Sequence, residues 1–127
     1  MIEIRKICFS IEEIRTFVSE LDGYVWMAVD TKRGMMAVGD GFEEELKYEL
    51  LKRKCLTYDV YGVGFDLVTG DIDYVSSINV RFADKGSTRE VPFEKRERIE
   101  TLVRYFFSEL PIFKDEKKKP RYSKKVK

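Results

Sequence analysis

The sequence contains no histidine and no glutamine, and Asn79 is its only asparagine. Without histidine there is no Ser–His–Asp or Cys–His catalysis, no imidazole metal site and no ordinary neutral-pH proton shuttle. Any proton transfer would fall to Asp, Glu, Lys, Tyr or Cys. Scarce amides beside abundant Glu, Lys and Arg fit a heat-adapted, thermophilic protein. The two cysteines, Cys8 and Cys55, form neither a C-x-x-C pair nor a metal-ligand spacing. They read as reduced thiols of a cytoplasmic protein. No apolar run approaches the ~18 residues a membrane helix needs. Met1 to Arg5 carries an acid early and reads as a strand, not a targeting segment. No cofactor fingerprint or calcium loop is present, so neither cofactor nor metal is expected.

What is there is balanced: 37 % charged and 43 % hydrophobic residues, outside the range of disordered or membrane chains. The length of 127 residues predicts one domain, over 1–113, followed by a flexible basic tail, 114–127. The tail carries a net charge of +6 and the body −5. Lys117, Lys118, Lys119, Arg121, Lys124, Lys125 and Lys127 could neutralise several phosphates, and Tyr122 could stack on a base. The tail therefore predicts weak nucleic-acid attraction that falls with salt. The competing reading is a solubilising tail.

Ile2 and Ile4 alternate with Glu3 and Arg5 as in a short strand over 2–8. Ser10 with Glu13 makes a capping box, and Ile11, Ile14, Phe17, Val18 and Leu21 share one helical face, closed by Asp22-Gly23. Tyr24–Asp30 and Met35–Val38 read as strands around a turn, Thr31-Lys32-Arg33-Gly34. Phe42, Leu46, Leu50 and Leu51 stripe a second helix. Residues 56–68 and 72–82 are the longest strand candidates, joined through Thr69-Gly70-Asp71. Ile99, Leu102, Val103, Phe106, Phe107 and Leu110 form the cleanest amphipathic stripe, entered at Pro92 and ended by Pro111. Four i,i+4 ion pairs fit the wet helix faces: Glu43–Lys47, Glu49–Arg53, Glu94–Arg98 and Glu100–Arg104. The expectation is α+β: an antiparallel sheet built from two hairpins (about 24–38 and 57–82) with three helices (about 10–21, 42–53 and 92–110) on one face, and a disordered basic C-terminal tail.

Several segments suggest chemistry. Gly39-Asp40-Gly41 before a helix resembles a phosphate cradle, but Asp40, Glu43, Glu44 and Glu45 place negative charge where an anion would sit. Tyr61-Gly62-Val63-Gly64 lacks the third glycine of a dinucleotide fingerprint; its glycines read as room for a close neighbour. Asp59 and Asp66 could hold Mg²⁺ for an enzyme acting on a phosphate-containing substrate. A three-residue loop at 69–71 would set Asp59 opposite Arg81 and Tyr61 opposite Asn79. Asp59, Tyr61, Ser77, Asn79 and Arg81, with Asp30 and Arg33, would then form a polar patch for a small ligand or protein partner. The competing reading is a solvated sheet face with one ion pair.

Three segments resemble, in order, a small prokaryotic domain family of unknown function: Val29 to Gly39, Asp59-Val60-Tyr61-Gly62, and Ser77-Ile78-Asn79-Val80-Arg81. Ser87 and Arg89 fit its next loop. The resemblance covers about 24–107, leaves the first helix outside and implies no activity. Asp40 stands where a second glycine is usual, and Phe82 replaces a proline. The resulting expectation is a non-enzymatic binding or accessory module, with the Mg²⁺ enzyme and a homodimeric structural module as rivals.

Overall fold

A computed structural model describes residues 2–113; the basic tail lies outside the described residues. Ten elements follow one another: β1 (Ile2–Arg5), α1 (Ile11–Glu20), β2 (Tyr24–Asp30), β3 (Met35–Gly39), α2 (Glu43–Leu51), a 3-10 turn (Thr57–Asp59), β4 (Val60–Asp66), β5 (Ile72–Asp73), a second 3-10 turn (Ser77–Asn79) and α3 (Phe93–Phe106). The class is α+β. The sheet is antiparallel throughout, in the order β1-β3-β2-β4-β5.

The helix ends obey local chemistry. Ser10 Oγ accepts from Glu13 N at 3.1 Å and Glu13 Oε1 accepts from Ser10 N at 2.8 Å, completing the expected capping box. The chain leaves α1 through Asp22 and Gly23, both at positive φ. Helix α2 has no side-chain N-cap; Glu45 reaches back to Phe42 N at 2.7 Å. Helix α3 ends at a Phe107 cap, short of the expected residue 110.

The helices cover both faces of the sheet, which corrects the one-face expectation. On β2, Val25, Met27 and Val29 meet Phe9 and Ile14 near α1 and Ile99, Val103 and Phe106 of α3. Trp26 and Ala28 face the other way, toward Leu46 and Leu50 of α2. The cause is visible in Tyr24 to Val29, which has no polar alternate residue, as expected of a strand buried on both faces. Ala37, Ala28 and Gly62 lie side by side on β3, β2 and β4. This row of small residues gives Leu46 and Leu50 a flat surface, and both are fully buried. At the edge of α2, Phe42 is 77 % exposed, so it does not join the expected stripe.

The second hairpin departs most from expectation. Only Gly64↔Asp73 and Phe65↔Ile72 pair, and residues 77–79 form a 3-10 turn instead of continuing a strand. The connection is a six-residue turn in which Gly70 N donates to Asp66 O at 2.8 Å and Asp66 N to Asp71 O at 3.0 Å. Asp66 Oδ1 accepts from Val68 N and Thr69 N, which holds its carboxyl below the usual range. The register needed to oppose Asp59 to Arg81 and Tyr61 to Asn79 is therefore absent.

Candidate functional site

From Val60 to Val63, β4 has no strand on its outer edge among the described residues, and side chains take that place. Asn79 Oδ1 accepts from Gly62 N at 2.7 Å while Asn79 Nδ2 donates to Gly62 O at 3.0 Å. The carboxamide thus bonds both ways, as a neighbouring strand would. Nδ2 also donates to Arg89 O at 3.0 Å. Arg81 extends the cover: Nη2 donates to Val60 O at 2.8 Å and Nη1 to Ile78 O at 3.0 Å. Its guanidinium lies 4.4 Å from the centroid of Tyr61.

Residues 77–88 form an excursion closed at its base. Ser76 N donates to Arg89 O and Val91 N to Tyr74 O, both at 2.8 Å. Within it, Asp84 N donates to Arg81 O and Ser87 N to Asp84 O, and Ser87 Oγ accepts from Arg81 N at 2.6 Å. Between this excursion and the start of α3 lies an open cleft of about 760 Å³. Tyr61, Asn79 and Arg81 form one wall; Pro92, Phe93 and Arg96 form the other. Arg96 donates through Nε to Val91 O and through Nη2 to Glu90 Oε1, both at 3.0 Å, and sits 4.9 Å from the Tyr74 ring centroid. Two phenyl groups stand in solvent nearby: Phe93, 84 % exposed, and Phe82 beside Arg81, 97 % exposed. Exposed aromatics of this size beside a concavity are features of recognition surfaces.

The expected patch splits three ways. Tyr61, Asn79 and Arg81 meet at the cleft. Asp30, Arg33 and Asp59 gather instead at the β2–β3 turn, where Arg33 Nη1 lies 3.3 Å from Asp30 Oδ2 and 3.5 Å from Asp59 Oδ2. Asp30 is fully buried and accepts from Lys32 N and Arg33 N at 2.9 Å. Burial alone would raise its pKa, but the Arg33 N–H, the Cys55 thiol, the Lys32 N–H and the Arg33 guanidinium together hold it below the usual carboxylate range. Burial, and then the bond to Asp30, push the Cys55 thiol up to about 12. Ser77 belongs to neither group; its Oγ donates to Glu44 Oε2 at 2.9 Å, and the adjacent Ser76 Oγ donates to Glu43 Oε1 at 2.7 Å.

Asp59 and Asp66 flank the two ends of β4, roughly 20 Å apart at strand rise, so they share no metal site. Among the described residues no cluster of three or more metal-ligating acids or thiols occurs. The tail residues Lys117, Lys118, Lys119, Arg121, Tyr122, Lys124, Lys125 and Lys127 lie outside the described residues. The glycines of Tyr61-Gly62-Val63-Gly64 make room as expected. A Cβ on Gly62 would lie 2.7 Å from Ile78 Cγ1, and one on Gly64 would lie 2.8 Å from Tyr24 Cζ.

Sequence reasoning missed Arg96, Phe93 and Thr88 in the cleft. The signal for Phe93 was present: an aromatic outside the 99–110 stripe, directly after Pro92. Two of the four expected ion pairs form, Glu49–Arg53 at 3.0 Å and Glu100–Arg104 at 3.2 Å. The partners of the other two are drawn away: Glu43 binds Ser76, and Arg98 Nε donates to Thr31 O at 2.9 Å.

Fold and site together define a small α+β domain with an antiparallel sheet covered on both faces and a side-chain-capped edge opening onto a cleft. The chain belongs to the family described as Protein of unknown function (DUF5674), whose model matches residues 3–106. That span includes β1 and α1, which the motif resemblance had left outside. No curated protein and no solved structure matches the chain. No helix among the described residues is long and apolar enough to cross a membrane.

Proposed function

We propose that the chain is a non-enzymatic binding or accessory module that takes up a ligand or partner segment in the cleft beside α3. The observation that carries this reading is Arg81. It is half-buried on the cleft wall, yet its partners among the described residues are two carbonyl oxygens and an aromatic ring, with no carboxylate. A partly desolvated cation without a counter-ion favours an incoming group that supplies one. The exposed Phe93 adds apolar contact area at the same opening. The test is a ¹H–¹⁵N NMR titration of the full chain with nucleotides, amino acids, sugars and short peptides. Binding should perturb Arg81, Ser87, Thr88 and Arg96 together; a panel that leaves all four unmoved would sink the reading.

The charge asymmetry, +6 in residues 114–127 against −5 in 1–113, supports a second role in the same module. The basic segment adds electrostatic attraction to nucleic acid. Labelled duplex DNA and single-stranded RNA should bind the full chain weakly, with affinity collapsing between low and near-physiological salt. A full-length variant with the tail lysines changed to serine should not bind. Equal binding by both chains would move the contact to residues 1–113.

A further inference from the structure

The cleft is electrically two-ended. Its inner wall carries donors. Of the five N–H groups of an arginine, Arg81 commits one to Val60 O and one to Ile78 O, leaving three without an acceptor among the described residues. Ser87 lies half-buried next to it and uses its Oγ as an acceptor from Arg81 N, so its hydroxyl proton remains available. The rim carries acids. Asp84, Glu90 and Glu94 line the opening and are all exposed. Asp84 accepts from Gly86 N at 3.3 Å and Glu90 pairs with Arg96. Glu94 makes no side-chain bond to any described residue, so its carboxylate oxygens are open to a ligand. A simple anion would meet Arg81 inside but pass Asp84 and Glu94 on the way in, Glu90 being offset by Arg96. A simple cation would find the rim and gain nothing from the inner wall.

We propose that this cleft binds a small zwitterion, with its oxyanion inward on Arg81 and Ser87 and its ammonium outward toward Glu94. The ligand supplies the counter-charge that Arg81 lacks and receives one from the rim, so both ends are paired at once. This assignment rests on the binding reading above and narrows it to a ligand class. The oxyanion is a phosphate or a carboxylate, and the two give different outcomes in the same experiment.

The experiment titrates the full chain with four probes, followed by isothermal calorimetry and by the Arg81 side-chain Nε–H resonance. The probes are phosphoethanolamine, β-alanine, inorganic phosphate and ethanolamine. One zwitterion should bind about tenfold more tightly than inorganic phosphate, the gain expected from one added charge contact near the surface. Phosphoethanolamine as the tighter of the two identifies a phosphate ligand, and β-alanine a carboxylate one. Ethanolamine should not move the Arg81 resonance. Glu94→Gln, an exposed change, should erase the zwitterion's advantage over phosphate and leave phosphate binding intact or stronger. Arg81→Lys should weaken both, and since Arg81 also braces Val60, its far-UV circular dichroism must first match the parent. Phosphate binding as tightly as the zwitterions, or a Glu94→Gln chain that keeps the advantage, would overturn the assignment. If neutral members of the wider panel occupy the cleft while zwitterions do not, the zwitterion proposal falls and the binding reading survives. If nothing perturbs the cleft, both fall.

Discussion

Asn79 and Gly62 exchange two hydrogen bonds, side-chain amide to backbone, at 2.7 and 3.0 Å. The contact substitutes for a missing strand. It keeps the strand-less edge of β4 from offering free N–H and C=O groups to another chain. It also anchors the excursion that forms one side of the cleft, because the same amide holds Arg89 O. Asn79 is 2 % exposed, so removing it strands Gly62 N and Gly62 O out of reach of water, while Arg89 O keeps its bond from Ser76 N. Asn79→Ala should cost about 2–4 kcal/mol in urea unfolding. Asn79→Asp should cost at least as much, since a carboxylate cannot donate to Gly62 O or Arg89 O. A loss under about 0.5 kcal/mol would mean the excursion is held by other contacts.

Gly62 is the other half of that contact and is constrained from the opposite side. A Cβ there would come 2.5 Å from Ser76 Oγ and 2.7 Å from Ile78 Cγ1, both on the buried side of the 3-10 turn. Gly62→Ala should therefore destabilise by about 1–3 kcal/mol, the usual range for overpacking. The double change Gly62→Ala with Ile78→Val should recover part of the loss. Thermal unfolding of the two variants measures it, and a double variant worse than the single would put the clash elsewhere.

How much of this could be read from the residues follows from which force dominated locally. The stripe from Ile99 to Leu110 is buried at every expected position, on α3 as far as Phe106 and in the turn that follows it, because burial of that apolar face dominates there. The β2–β3 hairpin is equally legible from its apolar strands and its Thr31–Gly34 turn, with Gly34 at φ +71°. Val75 to Phe82 was not. Its alternating pattern reads as a strand, but Ser76 Oγ accepts from Ile78 N at 3.3 Å and turns the chain. A local side-chain bond defeated the periodicity, and neither expected cross-strand pair formed: Asp59 lies by Arg33, Asn79 bonds the Gly62 backbone, and Arg81 stacks on Tyr61 instead. The scarcity of amides did mark Asn79 as exceptional, yet the role it takes is to cap an edge.

Cys55 should be chemically silent while the chain is folded. Its thiol is buried, bonded to Asp30 and pushed up to about 12, so almost no thiolate exists at pH 8. Unfolded, it returns to about 8.5. Iodoacetamide at pH 8 should alkylate it about three orders of magnitude faster in urea than in the folded state. Mass spectrometry of the Cys55 peptide reads the rate directly. Comparable rates in the two states would mean the β2–β3 turn region opens readily.

Asp30 gives the fold its clearest acid sensitivity. Its folded pKa lies below its unfolded value because two backbone N–H groups, the Cys55 thiol and Arg33 favour the carboxylate despite complete burial. A depressed folded pKa binds fewer protons than the unfolded chain, so its stabilisation is full above the unfolded value of about 4. It is lost as pH falls from there through the folded value. Asp30→Asn keeps an oxygen for the turn but loses the charge facing Arg33. It should lower stability by about 1–3 kcal/mol at pH 7. At pH 3 the gap between parent and variant should narrow, because the parent's carboxylate is then giving up the same contribution. Urea midpoints for both chains from pH 7 to pH 3 measure this. A gap that stays constant across that range would show that Asp30 acts through its shape and hydrogen bonds, with its charge contributing nothing.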